Sequence, residues 1–505
     1  MKHATWYHIL NILLLTTSFN SINFLLAEET ILYRNNNGAR SKITAINARN
    51  FMGNSTTVSV SQMYTTQGKY YLVTEDIVFT GTATPFVITA DNITIDLNGY
   101  TISYTGTTDD VHGFDITGKN IVIKNGSIEG FTGDAIRIQD NSKSVTLESI
   151  RISGGGATAG SRGISLEGTA VTNDTTKVLN CVISNCTIEN CDSIEAGESY
   201  ACKIAYAQNI IIENCNFLRS KGGTGFDAYG LWINASQNIQ IKNCYSAGHE
   251  GSRSFGYYLE GNSRACLFEN CTASGCSATT GIAVGFYSDS SHSNLFNDCK
   301  SMGHESVKSA FGFYMNASYY NTLTNCYSAY CRDTGLTASN VTAGFYSLNG
   351  LGNSWKHCES IGHQGANIAT GTVAGFQLSG TEKQSAWLSC TARANGSLTN
   401  SAAAAHGFYI SHANTVDYCQ IQHCQAIANC SSTANAAYGF RDISERQTTN
   451  MFLDNFAFGN TDANANTDNY NVAIAVGTFP ELSADIGGLL DLANQPPYYN
   501  IGISS

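Results

Sequence analysis

The densest group of side chains able to exchange protons is Asp109, Asp110 and His112, just ahead of Gly113. Two carboxylates flanking a glycosidic bond can serve as acid and base. A basic group near carboxylates that hold Ca²⁺ can instead abstract a proton. The competing reading of these three residues is a solvated turn that starts a strand. A second set is a column of alternating Cys and His: Cys191, His249, Cys276, His304, Cys331 and His363. Both residue types ligate soft-to-borderline metals. Ligands spaced evenly up one wall do not surround an ion tetrahedrally. The column therefore reads as a loop start that tolerates either residue, and no metal site is expected. The third set is aromatic. Trp232, Tyr258, Tyr287, Tyr314, Tyr346 and Tyr409 occupy equivalent places in a repeat. Amphipathic rings can stack on a sugar face while their hydroxyls stay wet. Stacked rings also stabilise neighbouring strands by ordinary cross-strand contact.

The repeat that places these residues runs through most of the chain. Gly followed by an apolar residue recurs at Gly113, Gly163, Gly230, Gly256, Gly285, Gly312, Gly344, Gly375, Gly407 and Gly439, with degenerate copies at Ala135 and Ala201. From Gly230 onward the copies lie 26–32 residues apart. About 14 residues after the Gly comes a second landmark, as in Glu-Asn-Cys (213–215), Lys-Asn-Cys (242–244) and Thr-Asn-Cys (324–326). Length variation is confined to the Gly/Ser/Ala/Thr-rich segment after Cys. Within each copy the alternation has period two, so the residue after Gly and the residue two further on point inward. Runs such as Asn-Ile-Ile-Ile (209–212) give a second short strand, and the residues after Cys begin a third. Such a unit, repeated, describes a coil of parallel strands stacked at about 4.8 Å. Phe and Cys then stack into core ladders. The Asn column (Asn185, Asn214, Asn243, Asn270, Asn325) marks a bend, where Asn tolerates left-handed backbone and its amides can bond along the stack.

The Gly-Phe and Asn-Cys columns, with the entry segments 70–77 and 92–103, resemble the right-handed parallel β-helix proteins of the pectate-lyase-like superfamily. The resemblance covers roughly residues 66–460. It implies an all-β fold, a single right-handed parallel β-helix of roughly a dozen coils with short terminal caps. It says little about activity, because that superfamily holds lyases, hydrolases, epimerases, adhesins and phage spikes. Gly-His-Glu (248–250, 303–305) is superficially similar to the Gly-His-Gly of pectin hydrolases. The accompanying Asp-Asp and Arg-x-Lys elements are absent nearby, so no catalytic residue is carried over and the catalytic residues stay unknown. The outward residues of the first strand are Asp115, Arg137, Ser165, Lys203, Trp232, Tyr258, Tyr287, Tyr314, Tyr346, Gln377, Tyr409 and Arg441. One of them is a carboxylate, which is poor provision for hydrolysis.

Composition narrows the classes further. Charged residues make up 13% of the 505, against 42% hydrophobic, which excludes a disordered chain. A net charge of −12 argues against nucleic acid and against a polybasic membrane attachment. The 4 prolines leave residues 86–479 free of Pro, as central strands require. The 17 cysteines all lie between Cys181 and Cys430. Their once-per-repeat spacing reads as reduced core residues rather than a disulfide framework. Residues 1–27 read as a secretory signal, 28–65 as a polar lead-in, 66–460 as the β-helix and 461–505 as a C-terminal cap. Asn-x-Ser/Thr sequons are plentiful, which Asn-rich repeats generate by chance. The expected location is secreted or at the cell surface, with no membrane span after signal removal. The expected function is a non-catalytic scaffold binding polysaccharide or surface glycan through the Trp/Tyr stripe. The alternative is a polysaccharide lyase, hydrolase or epimerase with loop-borne catalytic residues. No cofactor is evident, and Ca²⁺ enters only with the lyase.

Overall fold

A computed structural model describes residues 67–460, apart from Ala196 and the stretches 155–159, 170–176, 336–339, 366–370, 397–403, 412–415, 432–436 and 444–449. It also gives the backbone of short strands at Thr30–Arg34, Arg40–Ile46, Thr57–Val58, Gln62–Tyr64 and Asp468–Asn471. The segment read as a signal, 1–27, and most of the lead-in and cap lie outside the described residues.

The chain winds into a right-handed parallel β-solenoid of about 12 coils, with no helix among the described residues. The Gly-Phe strands form one 15-stranded sheet, in which each strand pairs in parallel with its counterpart one coil away. The two other strands of each coil belong to a 30-stranded sheet that wraps two faces. They are joined because the long strands Lys119–Glu129 and Lys143–Ser153 run across the corner between those faces. A further, four-stranded sheet of two-residue strands from Glu250–Gly251 to Arg332–Asp333 occupies an extra corner in the middle coils. The sequence reading provided three strands per coil and not this one. One pairing is antiparallel: Thr30–Arg34 folds onto Arg40–Ile46, which then pairs in parallel with Tyr70–Val73.

Register makes like residues stack. Tyr257, Phe286, Phe313, Phe345, Phe376, Phe408 and Phe440 follow one another through the core, with successive ring centroids 4.7–4.9 Å apart and nearly parallel. Each is at most 1% exposed. Burying such a side chain contributes about 1.5–3 kcal/mol. Ring stacking adds about 0.5–1.5 kcal/mol per pair. The bend before Cys is built as the sequence suggests. Asn185, Asn214, Asn243, Asn270 and Asn325 all have φ of 52–54°. Asn214 Nδ2 donates to Asn185 Oδ1 at 3.3 Å, and Asn243 and Asn270 continue the chain at 3.3 and 2.9 Å.

Sixteen of the cysteines are buried, Cys430 is partly so, and none is in a disulfide. Their thiols donate to carbonyls, as Cys215 does to Ile183 O at 3.6 Å and Cys244 to Ile212 O at 3.7 Å. Burial pushes the thiols of Cys181, Cys266, Cys276 and Cys331 up to about 12.

The Cys/His column needs correction. It is an interior corner, not a loop start. His249, His304 and His363 are fully buried. Their Nδ1 atoms accept the backbone N–H groups of Ser220, Cys276 and Cys331 in the preceding coil, at 3.1–3.2 Å. Ser246 and Ser301 lie 2.9 and 2.8 Å from the Nε2 atoms of His249 and His304. Burial holds all three imidazoles near a pKa of about 3, so they are neutral. Asn395, Asn429 and Asn460 take over the same corner in later coils, where Asn429 Oδ1 accepts from Asn395 N and Asn460 Oδ1 from Asn429 N. A buried backbone donor must find an acceptor, and a ring nitrogen or side-chain amide supplies one here.

Candidate functional site

The Gly-Phe strands Ser254–Glu260 and Ser309–Asn316 bend at their Gly. A Cβ on Gly256 would lie 2.8 Å from Ala273 Cβ and 2.7 Å from Gly285 O, so position 256 faces inward, like Tyr257 after it. The residues on either side, Phe255 and Tyr258, both face outward. Their rings converge to 4.8 Å although three residues separate them. Phe311 and Tyr314 also converge to 4.8 Å. The outer side of the sheet is therefore concave, a trough with two columns of side chains along it.

The column after the bend holds the aromatic stripe. Register pairs Trp232 with Tyr258, Tyr258 with Tyr287, Tyr287 with Tyr314 and Tyr314 with Tyr346, and Tyr409 resumes the line beyond Gln377. The structure thus brings the six residues together, but less openly than an outward stripe suggests. Tyr258, Tyr287, Tyr314, Tyr346 and Tyr409 are 5–9% exposed, and Trp232 is half-buried. Tyr287 lies 4.8 Å from both Tyr258 and Tyr314, so its faces are covered by rings of the coils on either side. Tyr258 Oη lies 3.5 Å from Asp289 Oδ2, and Asn316 Nδ2 donates to Tyr287 Oη at 3.5 Å.

The column before the bend was missed in the sequence. It reads His112, Asp134, Arg162, Tyr200, Tyr229, Phe255, Val284, Phe311, Ala343, Ala374, His406 and Tyr438. The signal was the residue preceding each Gly, which strict alternation assigns no role. Its middle is aromatic: Tyr200 stacks on Tyr229 at 4.7 Å and Tyr229 on Phe255 at 5.2 Å.

The N-terminal end of the trough is charged. Arg137 grips Asp115 through Nε and Nη2, at 3.2 and 2.9 Å. Arg162 Nη1 lies 3.4 Å from both Asp134 and Glu167, and Lys203 Nζ is 2.6 Å from Glu167. Asp134 is 1% exposed and accepts from Ser165 Oγ at 2.8 Å. Burial raises its carboxyl above the usual range against the pull of Arg162 and His112. Burial also pushes Glu167 upward, but Lys203 and Arg162 outweigh it and hold the group below its ordinary value.

Of the acidic cluster read from the sequence, Asp109 and Asp110 are exposed while His112 is buried. His112 Nε2 comes within 3.7 Å of Asp110 Oδ1. Its Nδ1 accepts the Asp134 N–H at 2.9 Å. Burial depresses the imidazole, so the neutral ring carries its proton on Nε2 and its one lone pair is engaged. As placed, His112 is a donor rather than a base. Among the described residues no group of three or more His, Cys, Asp or Glu side chains is disposed to hold a metal ion.

A sequence family described as a right-handed β-helix region matches residues 160–300. No curated protein matches the chain. Several solved structures are similar at low identity. The periplasmic alginate epimerase AlgG is 10% identical over 76% of this chain and 85% of its own, with a TM-score of 0.43. The A-module of the Azotobacter vinelandii mannuronan C-5 epimerase AlgE4 is 14% identical over 75% and 89%, at 0.38. The pre-mature gene product 12 of bacteriophage phi29 is 12% identical over 83% and 53%, at 0.49. The in-register repeat, the parallel coil and the family match establish the chain as a right-handed parallel β-helix repeat protein.

Proposed function

We propose that this protein engages a polysaccharide or surface glycan laid along the trough, outside the cell that exports it. The carrying observation is the continuous line Tyr258–Tyr287–Tyr314–Tyr346, whose rings advance by 4.8–5.0 Å per coil. That advance is comparable to the step of a pyranose polymer per sugar. Stacking uses up the ring faces, so recognition runs through hydroxyls and ring edges. The test keeps the stack and removes the hydroxyls. Tyr287→Phe with Tyr314→Phe should weaken glycan-array or pull-down binding about tenfold or more, at ~1 kcal/mol per hydrogen bond. Binding unchanged by the double variant would remove the stripe from the function.

A second reading, a polysaccharide-cleaving or epimerising enzyme, is favoured by one observation. Asp134 is a buried carboxyl whose environment keeps it protonated more readily than usual, the condition a general acid needs. Incubation with uronate polysaccharides, with and without Ca²⁺, should then give unsaturated products, new reducing ends or altered stereochemistry that Asp134→Asn abolishes. Inactivity throughout would leave the trough as a binding surface alone.

A further inference from the structure

The C-terminal end of the trough differs from the rest in having unmet polar groups. Register places Gln377, Tyr409 and Arg441 on consecutive coils of one column, and His406 and Tyr438 beside them in the other. Arg441 Nη1 lies 3.2 Å from His406 Nε2. A guanidinium can only donate, so Nε2 accepts and the imidazole proton sits on Nδ1. His406 is fully buried, with its ring against the Ala405 carbonyl. Arg441 Nε and Gln377 Oε1 are buried without a hydrogen-bond partner. Buried donors and acceptors are rarely left unsatisfied, and each one calls for an explanation.

Among the described residues Arg441 also lacks a counter-charge. Arg137, Arg151 and Arg253 each turn the Nε/Nη2 edge of the guanidinium onto a carboxylate, Asp115, Glu189 and Asp227 respectively. Among the described residues no carboxylate does this for Arg441. Its guanidinium lies instead over Tyr438, 4.9 Å from the ring centre, and 5.7 Å from that of Tyr409. The two rings fix its plane, and His406 holds Nη1. The edge left over is the one that binds carboxylates elsewhere in this protein. Two and three coils before Arg441 the ladder of rings before the bend is broken by Ala374 and Ala343, where other coils carry Phe311 or Phe255.

We propose that Arg441, His406, Gln377 and Tyr409 form a subsite for one carboxylate-bearing sugar of an acidic glycan. Arg441 takes the uronate carboxylate on its Nε/Nη2 edge. His406 positions the guanidinium by accepting from Nη1, and Gln377 Oε1 accepts from a sugar hydroxyl. The subsite rests on the reading of the trough as a glycan surface, and it adds the charge class of the glycan and the end at which it is gripped.

Calorimetric titration of the full chain tests it with four probes: hexagalacturonate, hexamannuronate, the carboxyl-reduced hexamer, and a sulfated dextran oligomer. At least one uronate should bind at least tenfold more tightly than the reduced hexamer. Arg441→Gln should erase that preference, so that uronate and reduced hexamer bind within about twofold of each other. Arg441→Lys keeps the charge without the two-donor edge and should lose most of the preference as well. His406→Phe should weaken uronate binding several-fold. Melting curves and circular dichroism identify variants that fail to fold, and Arg441→Lys stands in if Arg441→Gln is one of them. Uronate binding that ignores both Arg441 variants yet falls with Tyr287→Phe and Tyr314→Phe would overturn the subsite and leave the trough standing. Equal binding of the sulfated dextran would overturn the carboxylate assignment. Absence of binding by all four probes would overturn both readings.

Discussion

Glu382 lies wholly inside the coil without an ion-pair partner among the described residues. Its oxygens accept from Ser347 Oγ at 2.9 Å, Gly350 N at 2.6 Å and Ser385 Oγ. Burial raises its pKa in spite of these donors. The folded state therefore holds this proton to higher pH than the unfolded chain. The stability linked to it is complete below the unfolded value and is lost as pH rises through the folded one. Glu382→Gln should flatten that decline in melting temperature above about pH 4.5, the ordinary carboxyl range, and an unchanged pH profile would show that the group is not responsible. A second residue-scale expectation concerns the bend. A Cβ on Gly285 would overlap Ser301 Oγ and lie 2.7 Å from His304 Nε2. Gly285→Ala should cost about 1–3 kcal/mol by overpacking, measurable by chemical denaturation. The inward line of Phe was legible because one residue type recurs at one place. Asp134 and Arg162 were not, since each occurs once, in a column recognised only after the bend is seen.

At the scale of the strand, period-two alternation accounts for the inner face and fails at the outer one. The Gly bend turns two consecutive residues inward, so Phe255 and Tyr258 share a surface that strict alternation would split. Alternation also cannot show that outward rings stack on one another, which is why the stripe is more buried than its sequence suggests. The cysteines were legible for a simpler reason: spacing in register with the repeat puts them in the core. Without reductant, all 17 thiols should titrate after unfolding, while in the folded protein Cys430 should react first, being the one not fully buried. Fewer free thiols on unfolding would reveal bridges. The corners make their own prediction. Asn243 has a φ of 52° and links to Asn214 and Asn270. Asn243→Ala should destabilise by about 1–2 kcal/mol, the penalty of a left-handed Cβ. Asn243→Gly should recover part of it.

Over the whole molecule each coil meets only its neighbours, so stability accumulates coil by coil rather than in one closed core. Hydrogen exchange should be slowest in central strands such as Ser254–Glu260, Ile282–Asp289 and Ser309–Asn316, and faster toward either end. Uniform protection would point to a single cooperative unit. The fold was legible at this scale because a dozen approximate copies average out local noise. The trough was legible only in part, because its two ends, ionic at one and cationic with unmet polar groups at the other, lie where the repeats depart from consensus.

The in-register stacking of the Tyr rings has a further consequence. Since neighbouring coils are nearly interchangeable, a duplicated or deleted coil would shift everything beyond it by one rung while leaving the joints intact. The separation between the Asp115–Arg137 end and Arg441 is therefore a ruler with coil-sized graduations. A lineage could retune which chain length fits between the two ends by changing the number of rungs, without redesigning either end.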